Sequence, residues 1–520
     1  MKIYLIKPIS FILIVAFGLS ACSIGVRPID NKQLLADSKL DIVNSQKDIE
    51  PLGPTIDLNE AIARGLKYNL DFKVKQYEEA LATDQQSLAA LEMLPKVVGT
   101  AGYYSRNNDL INYSVNPQTG QSTPQTYLST DRQIWSTNFA LSWNILDFGA
   151  SYFNARQQGD RMMIALERRR RAMHNLVQDI RTAYLRAYSA QILEGSVRDT
   201  IAESEAVLEK ARKAEKQKLR SPAEILKIQK TILDNIRLLE AIQQELSTAR
   251  YELASYINIR PGVQYVLAKP DATFLAPKQI NLSVNDLEDI AIANNAEFRE
   301  QIYTARIAKD DIKKNMLRLF PGISFNVGNN YNSNTFLVNN TWRDAAVQVS
   351  WNLMNVLSIP GQISAMNNAD GLYDQKKTAV LMNLVTQVHI ARLQYDNNYQ
   401  AMQRNESLLQ VDKKLNDIST LKMEAEVESR LEHVTYSTGY ILSLLRKYQA
   451  LAQLYNSEGK LRSTLGQEIV AGDISKVPLK ELSKQVGVAL KDWVPKELPQ
   501  EAAKAVSAVD VTKATPAQNW

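Results

Sequence analysis

"SWNIL" at Ser142–Leu146 returns as "SWNLM" at Ser350–Met354, 208 residues further on. Each copy lies in an alternation of period two, the mark of a strand with two unlike faces. In the first, Phe139, Leu141, Trp143 and Ile145 alternate with Asn138, Ala140, Ser142 and Asn144. In the second, Val347, Val349, Trp351 and Leu353 alternate with Ala346, Gln348, Ser350 and Asn352. Upstream, "GISFNVGNNYN" sets Ile323, Phe325, Val327 and Tyr331 against Ser324, Asn326, Gly328, Asn330 and Asn332, and "VVGTAGYYS" (Val97–Ser105) has strand composition. Two structures suit such strands: a soluble sheet with one face in a core, or a transmembrane barrel with apolar residues outside and Asn and Ser facing water.

The echo extends over most of the chain. "NLDF" (Asn69–Phe72) recurs as "NAEF" (Asn295–Phe298), an offset of 226 that also links Asp84 to Asp310, Leu91 to Leu317, Pro95 to Pro321 and Gly102 to Gly328. Beyond the tryptophans the offset is 208, linking Leu176–Val177 to Leu384–Val385, Ala183 to Ala391 and Leu185 to Leu393. Two constant offsets joining unlike motifs mean a tandem duplication. Their difference, 226 less 208, puts 18 extra residues between Pro95 and Trp143. The Asn/Ser/Gln/Thr-rich stretch from Arg106 to Thr130 is the expected long loop, and Trp135 and Trp342 are the expected interfacial belt.

Around the strands the pattern is helical. Asp57 is a suitable N-cap for a helix to Met93, which Leu94–Pro95 ends; Phe320–Pro321 ends its counterpart. From Ser151 to about Lys218 no proline interrupts a run with Leu176, Ile180, Ala183, Ala187 and Ala190 at helical spacing. Such a helix is roughly 100 Å long, far beyond the globular norm. Ser221 and Pro222 suit the cap and first turn of a returning helix to about Ile257. The second copy predicts a helix over Gln362–Tyr436, a turn around Gly439 and a return through Leu465. The fold class is mainly α with a small β part: tandem long helical hairpins plus four strands. About eight strands are needed to close a barrel, so four cannot, whereas three copies supply twelve.

The N-terminus has its own logic. Lys2 and Lys7 precede an apolar run, Pro8–Leu19, then Ser20, Ala21 and the single cysteine, Cys22. That is the layout of a secretory signal peptide and too short to span a bilayer. "LSAC" (Leu19–Cys22) resembles a bacterial lipobox, which implies lipidation of Cys22 as the first mature residue, and Ser23 implies outer-membrane sorting. One cysteine excludes an internal disulfide and any thiolate zinc cluster. A net charge of +5 on 520 residues argues little for nucleic acid. The domain layout is a signal peptide (1–21), a lipidated linker (22–54), repeat 1 (55–270), repeat 2 (271–468) and a flexible periplasmic tail (469–520).

The duplicated layout, the "LP" before the first strand, "LSWNILDFG" (Leu141–Gly149), the set Val177, Ile180, Ala183, Tyr184, and "YSTG" (Tyr436–Gly439) together resemble the TolC-type outer-membrane efflux proteins over roughly residues 55–468. The resemblance implies a homotrimer with a twelve-stranded outer-membrane β-barrel continued by an α-barrel across the periplasm. It implies the passive exit duct of a tripartite drug or metal pump, or of type I protein secretion, with a periplasmic adaptor and an inner-membrane transporter as partners. Phe139, Leu141, Trp143, Val347, Val349 and Trp351 would then face outer-membrane lipid. Ser221, Pro222, Ser437, Thr438 and Gly439 would sit at the adaptor-contacting tip, with Lys218 where a glycine is expected. Leu445 and Tyr448 stand near positions where some relatives carry an acidic constriction ring, so no such ring is carried over. A reading of another class is a lipid-anchored coiled-coil protein without a pore.

Nothing points to catalysis, a metal or a cofactor. His174, His389 and His433 lack paired-ligand spacing, and there is no GxSxG, Walker A or Rossmann fingerprint. "ERRRRA" (Glu167–Ala172) reads as a solvated stretch or, alternatively, a basic lumenal ring, and Glu424, Glu426, Glu428 and Glu432 as a solvated face with Lys422 and Arg430 or, alternatively, as a replacement for the acidic constriction ring.

Overall fold

The computed structural model describes residues 28–115, 118–217, 221–271, 274, 279–425, 429–467, 469–470, 472 and 474–491. Cys22, Ser23, Lys218, Glu426 and Glu428 lie outside the described residues. The chain forms two units, Met1–Pro51 and Leu52–Trp520. In the first, the expected linker holds a helix, α1 (Asn31–Gln46), whose N-cap Asp30 accepts from the Lys32 N–H and which buries no side chain.

The second unit begins with a helix that breaks where one continuous helix was expected. Asp57 does cap α2 (Leu58–Tyr68), accepting from the Glu60 N–H at 2.7 Å. Asn69 then ends α2 and starts α3 (Leu70–Leu91). Its backbone is extended, its Oδ1 accepts from the Phe72 N–H at 2.9 Å, and its Nδ2 donates to the Tyr256 carbonyl at 3.0 Å. An Asn side chain competes with the helix for its own backbone, which is why it sits at this joint. "NAEF" does the same 226 residues on: Asn295 separates α6 (Val284–Asn294) from α7 (Ala296–Leu317), accepting from Phe298 and donating to the Thr464 carbonyl at 2.9 Å. Phe72 and Phe298 are both buried.

Strands β1 (Lys96–Ser105), β4 (Gln133–Asn144), β5 (Gly322–Asn332) and β6 (Thr341–Ser350) make one antiparallel sheet in the order β1-β4-β5-β6. The expected loop between Arg106 and Thr130 instead contains a hairpin, β2 (Ile111–Val115) and β3 (Ser122–Leu128). That segment is as long as the insertion the two offsets require.

The sheet runs straight into helices. Asn144 caps α4 (Ile145–Lys216), whose 72 residues span roughly 108 Å. Its first half packs on α3 and α7, its second on α5 (Pro222–Tyr256) and α9 (Arg430–Leu465), which pairs with α8 (Ile359–Glu424). In repeat 2 a 3-10 helix, Leu353–Ser358, precedes α8. The motif residues Val177, Ile180, Ala183 and Tyr184 form the buried stripe of α4, and the Tyr184 hydroxyl donates to the carbonyls of Ile56 (3.0 Å) and Ala268 (2.8 Å). The expected flexible tail starts with order: α10 (Leu479–Lys491) buries Leu479, Leu482 and Val486 and packs on α2. Spacing of three and four residues gives it an apolar face that only burial stabilises.

Candidate functional site

Direct cross-strand partners share a face, so the register settles which residues lie together. β1–β4 pairs Val97 with Leu141 and Gly99 with Phe139; β4–β5 pairs Leu141 with Val327 and Trp143 with Phe325; β5–β6 pairs Phe325 with Val347 and Ile323 with Val349. One face is therefore apolar across all four strands. The other carries Thr100, Asn138, Ser142, Asn326, Asn330, Asp344 and Gln348, with an Asn138–Asn330 side-chain bond of 2.6 Å across the strands. On the apolar face Phe139, Leu141, Val347 and Val349 are exposed, Val347 by 67%.

The tryptophans divide. Trp351 follows β6 and stays exposed, its Nε1 donating to the Leu319 carbonyl at 3.0 Å. Trp143 does not; it packs against Phe148 and Phe325 and is half-buried. The expected belt is corrected at Trp342. Trp135 and Trp342 lie inside β4 and β6, and they fall on opposite faces: Trp135 pairs with Tyr103 on the apolar side, Trp342 with Asn330 on the polar one.

At the far end of the helices the first hairpin turns where the sequence placed it. Ser221 is the N-cap of α5 and Pro222 its first residue, although the Ser221 side chain makes no capping bond. The second turn is elsewhere. α8 ends at Glu424 and α9 begins at Arg430, so Ser437, Thr438 and Gly439 lie within α9, two turns beyond the end. Ser437 donates to Asn416 Oδ1 at 2.9 Å and buried Thr438 donates to the Val434 carbonyl at 2.7 Å. A glycine there forces no turn when the helix is held on both sides. The true turn carries a capping box: Ser429 accepts from the Glu432 N–H, and the Glu432 carboxylate accepts from the Ser429 N–H. The missed signal was the offset itself, since 208 carries Ser221 and Glu224 onto Ser429 and Glu432. Glu432 is thus a cap, not only part of a solvated face.

"ERRRRA" is neither a free basic ring nor a free solvated run. Arg168 and Arg171 each reach Glu300 at 2.7 Å, Arg169 reaches Glu79 at 2.6 Å, and Arg170 reaches buried Glu167 at 2.6 Å. Arg306 with Asp160 and Arg156 with Asp310 (3.2 Å) extend this ladder along α4 and α7. Deeper, Arg181 pairs with Glu458 at 3.1 Å and lies 4.2 Å from the Tyr455 ring centroid. Burial first, then Arg462 and Arg170, push the His174 pKa down to about 3, a bond to the Gln467 backbone opposing them. Leu445 is buried and Tyr448 packs on Tyr188, so both serve the helix–helix interface. Among the described residues no group of three or more His, Cys, Asp or Glu could hold a metal, and no helix is long and apolar enough to cross a membrane.

No protein-family model and no curated protein matches the sequence. Solved structures do. The chain is similar to the CmeC outer membrane channel of Campylobacter jejuni (TM-score 0.59, 12% identity, 83% of this chain and 90% of that one). It is similar to the VceC outer membrane protein of Vibrio cholerae (0.56, 12%, 79% and 96%). It is also similar to the open state of the MtrE outer membrane channel of Neisseria gonorrhoeae (0.58, 13%, 79% and 88%). The two-faced sheet, the repeated helical hairpins and these likenesses agree: the chain has the fold of the TolC-type outer-membrane channels.

Proposed function

We propose that three copies of the chain close into a channel through the bacterial outer membrane, continued by a helical duct across the periplasm, and that it is the passive exit of a tripartite efflux system. One observation carries this reading: a sheet with an apolar face, a polar face and two edges left unpaired among the described residues, on a chain whose helices run on from it for 66 and 72 residues. Apolar area left in water forgoes about 25 cal/mol per Å², and lipid removes that cost. Unpaired strand edges cannot stand in hydrocarbon, where each free backbone group costs several kcal/mol. Edge-to-edge closure of three sheets removes every edge.

The helical layer ends in matching fashion. α3 exposes Leu70, Val74, Tyr77, Leu81, Leu88 and Leu91 at helical spacing, and α8 exposes Leu408, Val411, Leu415, Ile418 and Leu421. In this reading the two hairpin turns, Ser221–Glu224 and Ser429–Glu432, meet a periplasmic adaptor, which couples the duct to an inner-membrane transporter. Type I secretion would use the same duct, the transporter choosing the cargo. A lipidated Cys22 adds an anchor to a protein the barrel already holds; mass spectrometry of the mature N-terminus tests it, and an unmodified Cys22 would refute it.

The channel itself is tested on purified full-length protein by light scattering in detergent and by conductance in planar bilayers. A trimer mass with single-channel steps is expected. A monomer without conductance refutes the proposal and leaves a coiled-coil protein without a pore.

A further inference from the structure

The internal repeat predicts how neighbouring copies pair. This rests on the trimeric reading above. The two offsets convert strand partners as well as residues, and the hairpins check this within one chain. β1–β4 pairs Gly99 with Phe139; carried forward by 226 and 208 these become Phe325 and Val347, which are partners in β5–β6. Tyr104 with Ile134 becomes Asn330 with Trp342, again a partnered pair.

The β4–β5 contact joins the end of repeat 1 to the start of repeat 2. In a closed ring the matching contact joins β6 of one copy to β1 of the next. Trp143 with Phe325 then becomes Trp351 with Gly99, Leu141 with Val327 becomes Val349 with Ala101, and Phe139 with Asn329 becomes Val347 with Tyr103. Ser136 with Asn332 becomes Asp344 with Arg106.

We infer that the free edges β6 and β1 form an interface between copies of this chain in this one register, with Trp351 of one copy laid over Gly99 of the next and Asp344 opposite Arg106.

Because both offsets are even, the register keeps the apolar faces continuous by construction, whereas a slip of one residue would turn every side chain to the wrong side. Two features not used to obtain the register agree with it. It sets the exposed Trp351 indole against a residue with no side chain, the arrangement in which an aromatic covers an edge glycine. It brings opposite charges together: neither Asp344 nor Arg106 forms an ion pair within one chain among the described residues.

Cysteine cross-linking of the full chain tests it. Ala101 and Val349 sit on the two outer strands of the sheet, three strand spacings (about 14 Å) apart across it, and Val349 lies eight residues further along than Thr341, which is in line with Ala101. A disulfide needs α-carbons within about 7 Å, so only a neighbour can bridge them. The Ala101→Cys, Val349→Cys double variant should give a ladder of covalent dimers and trimers, absent from either single variant. It should form at least about 5-fold faster than in Ala101→Cys, Val347→Cys, where the partners are displaced by two residues. Equal or faster linking in the displaced pair, or no linking in a protein of trimer mass, overturns the register and leaves the channel intact. A monomer mass overturns the trimeric reading itself. An independent measurement guards against variants that assemble poorly. Asp344→Arg should lower the fraction surviving as trimer in warm detergent, and adding Arg106→Asp should restore it. An unaffected single variant, or no recovery in the double, overturns the pairing.

Discussion

His174 titrates out of its usual range because its ring is buried on α4 and faces Arg462 and Arg170. A folded value of about 3 against 6.5 unfolded means that the unfolded chain binds a proton the native chain refuses. Stability is therefore full above pH 6.5 and falls with acidity towards pH 3, by up to about 1.4 kcal/mol per pH unit. His174→Gln should flatten this slope in denaturant midpoints measured from pH 7.5 to 5. An unchanged slope would place the titrating group elsewhere. Gly439 gives a second test at this scale. A Cβ there would meet nothing within 4 Å and the residue is inside α9. Gly439→Ala should raise stability by about 0.5–1 kcal/mol, seen as a higher melting temperature, with assembly retained. A loss would show that a neighbour fills that space.

Helix ends decide how the elements meet. Gly466 ends α9 in the left-handed region at φ +64, and a Cβ would strike the Asn294 carbonyl at the end of α6. Its own carbonyl accepts from Arg170 Nη2 at 2.8 Å. Gly466→Ala thus combines backbone strain of about 1–2 kcal/mol with a backbone collision, and should cost more than 2 kcal/mol by denaturant unfolding. A loss below about 0.5 kcal/mol would mean the joint is slack. These joints were partly legible. "NLDF" and "NAEF" marked both of them as repeats, but the helix break at Asn69 depends on the Tyr256 carbonyl, which comes from a distant segment. α10 was hidden for a similar reason. Its Leu479, Leu482 and Val486 make a short apolar face with no meaning until α2 covers it.

At the level of the whole molecule the two repeats are unequal by one hairpin. β2–β3 lies between β1 and β4 as a separate two-stranded sheet. Deleting Ile111–Leu128 shortens repeat 1 to the spacing repeat 2 already uses, so trimer mass and conductance steps should persist. Their loss would show that the hairpin takes part in closure. The polar network above the sheet survives such a deletion, since Asp131 holds the Thr335 N–H at 2.5 Å and Asn334 bonds the Ser129 carbonyl at 3.2 Å.

The alternation around Trp143 and Trp351, the two offsets and the proline-free runs were enough to determine strands with unlike faces, long helices and a duplication. These are local properties, set by periods of 2 and 3.6 and by what proline forbids. Where α8 turns was determined by packing: Ser429 and Glu432 cap one helix end while Gly439, the stronger local signal for a turn, stays helical. The pairing of "ERRRRA" with Glu79, Glu167 and Glu300 and the burial of His174 between guanidiniums were decided in the same way. Charge neutralisation and burial depend on which distant residues face one another, and a one-dimensional pattern does not carry that information.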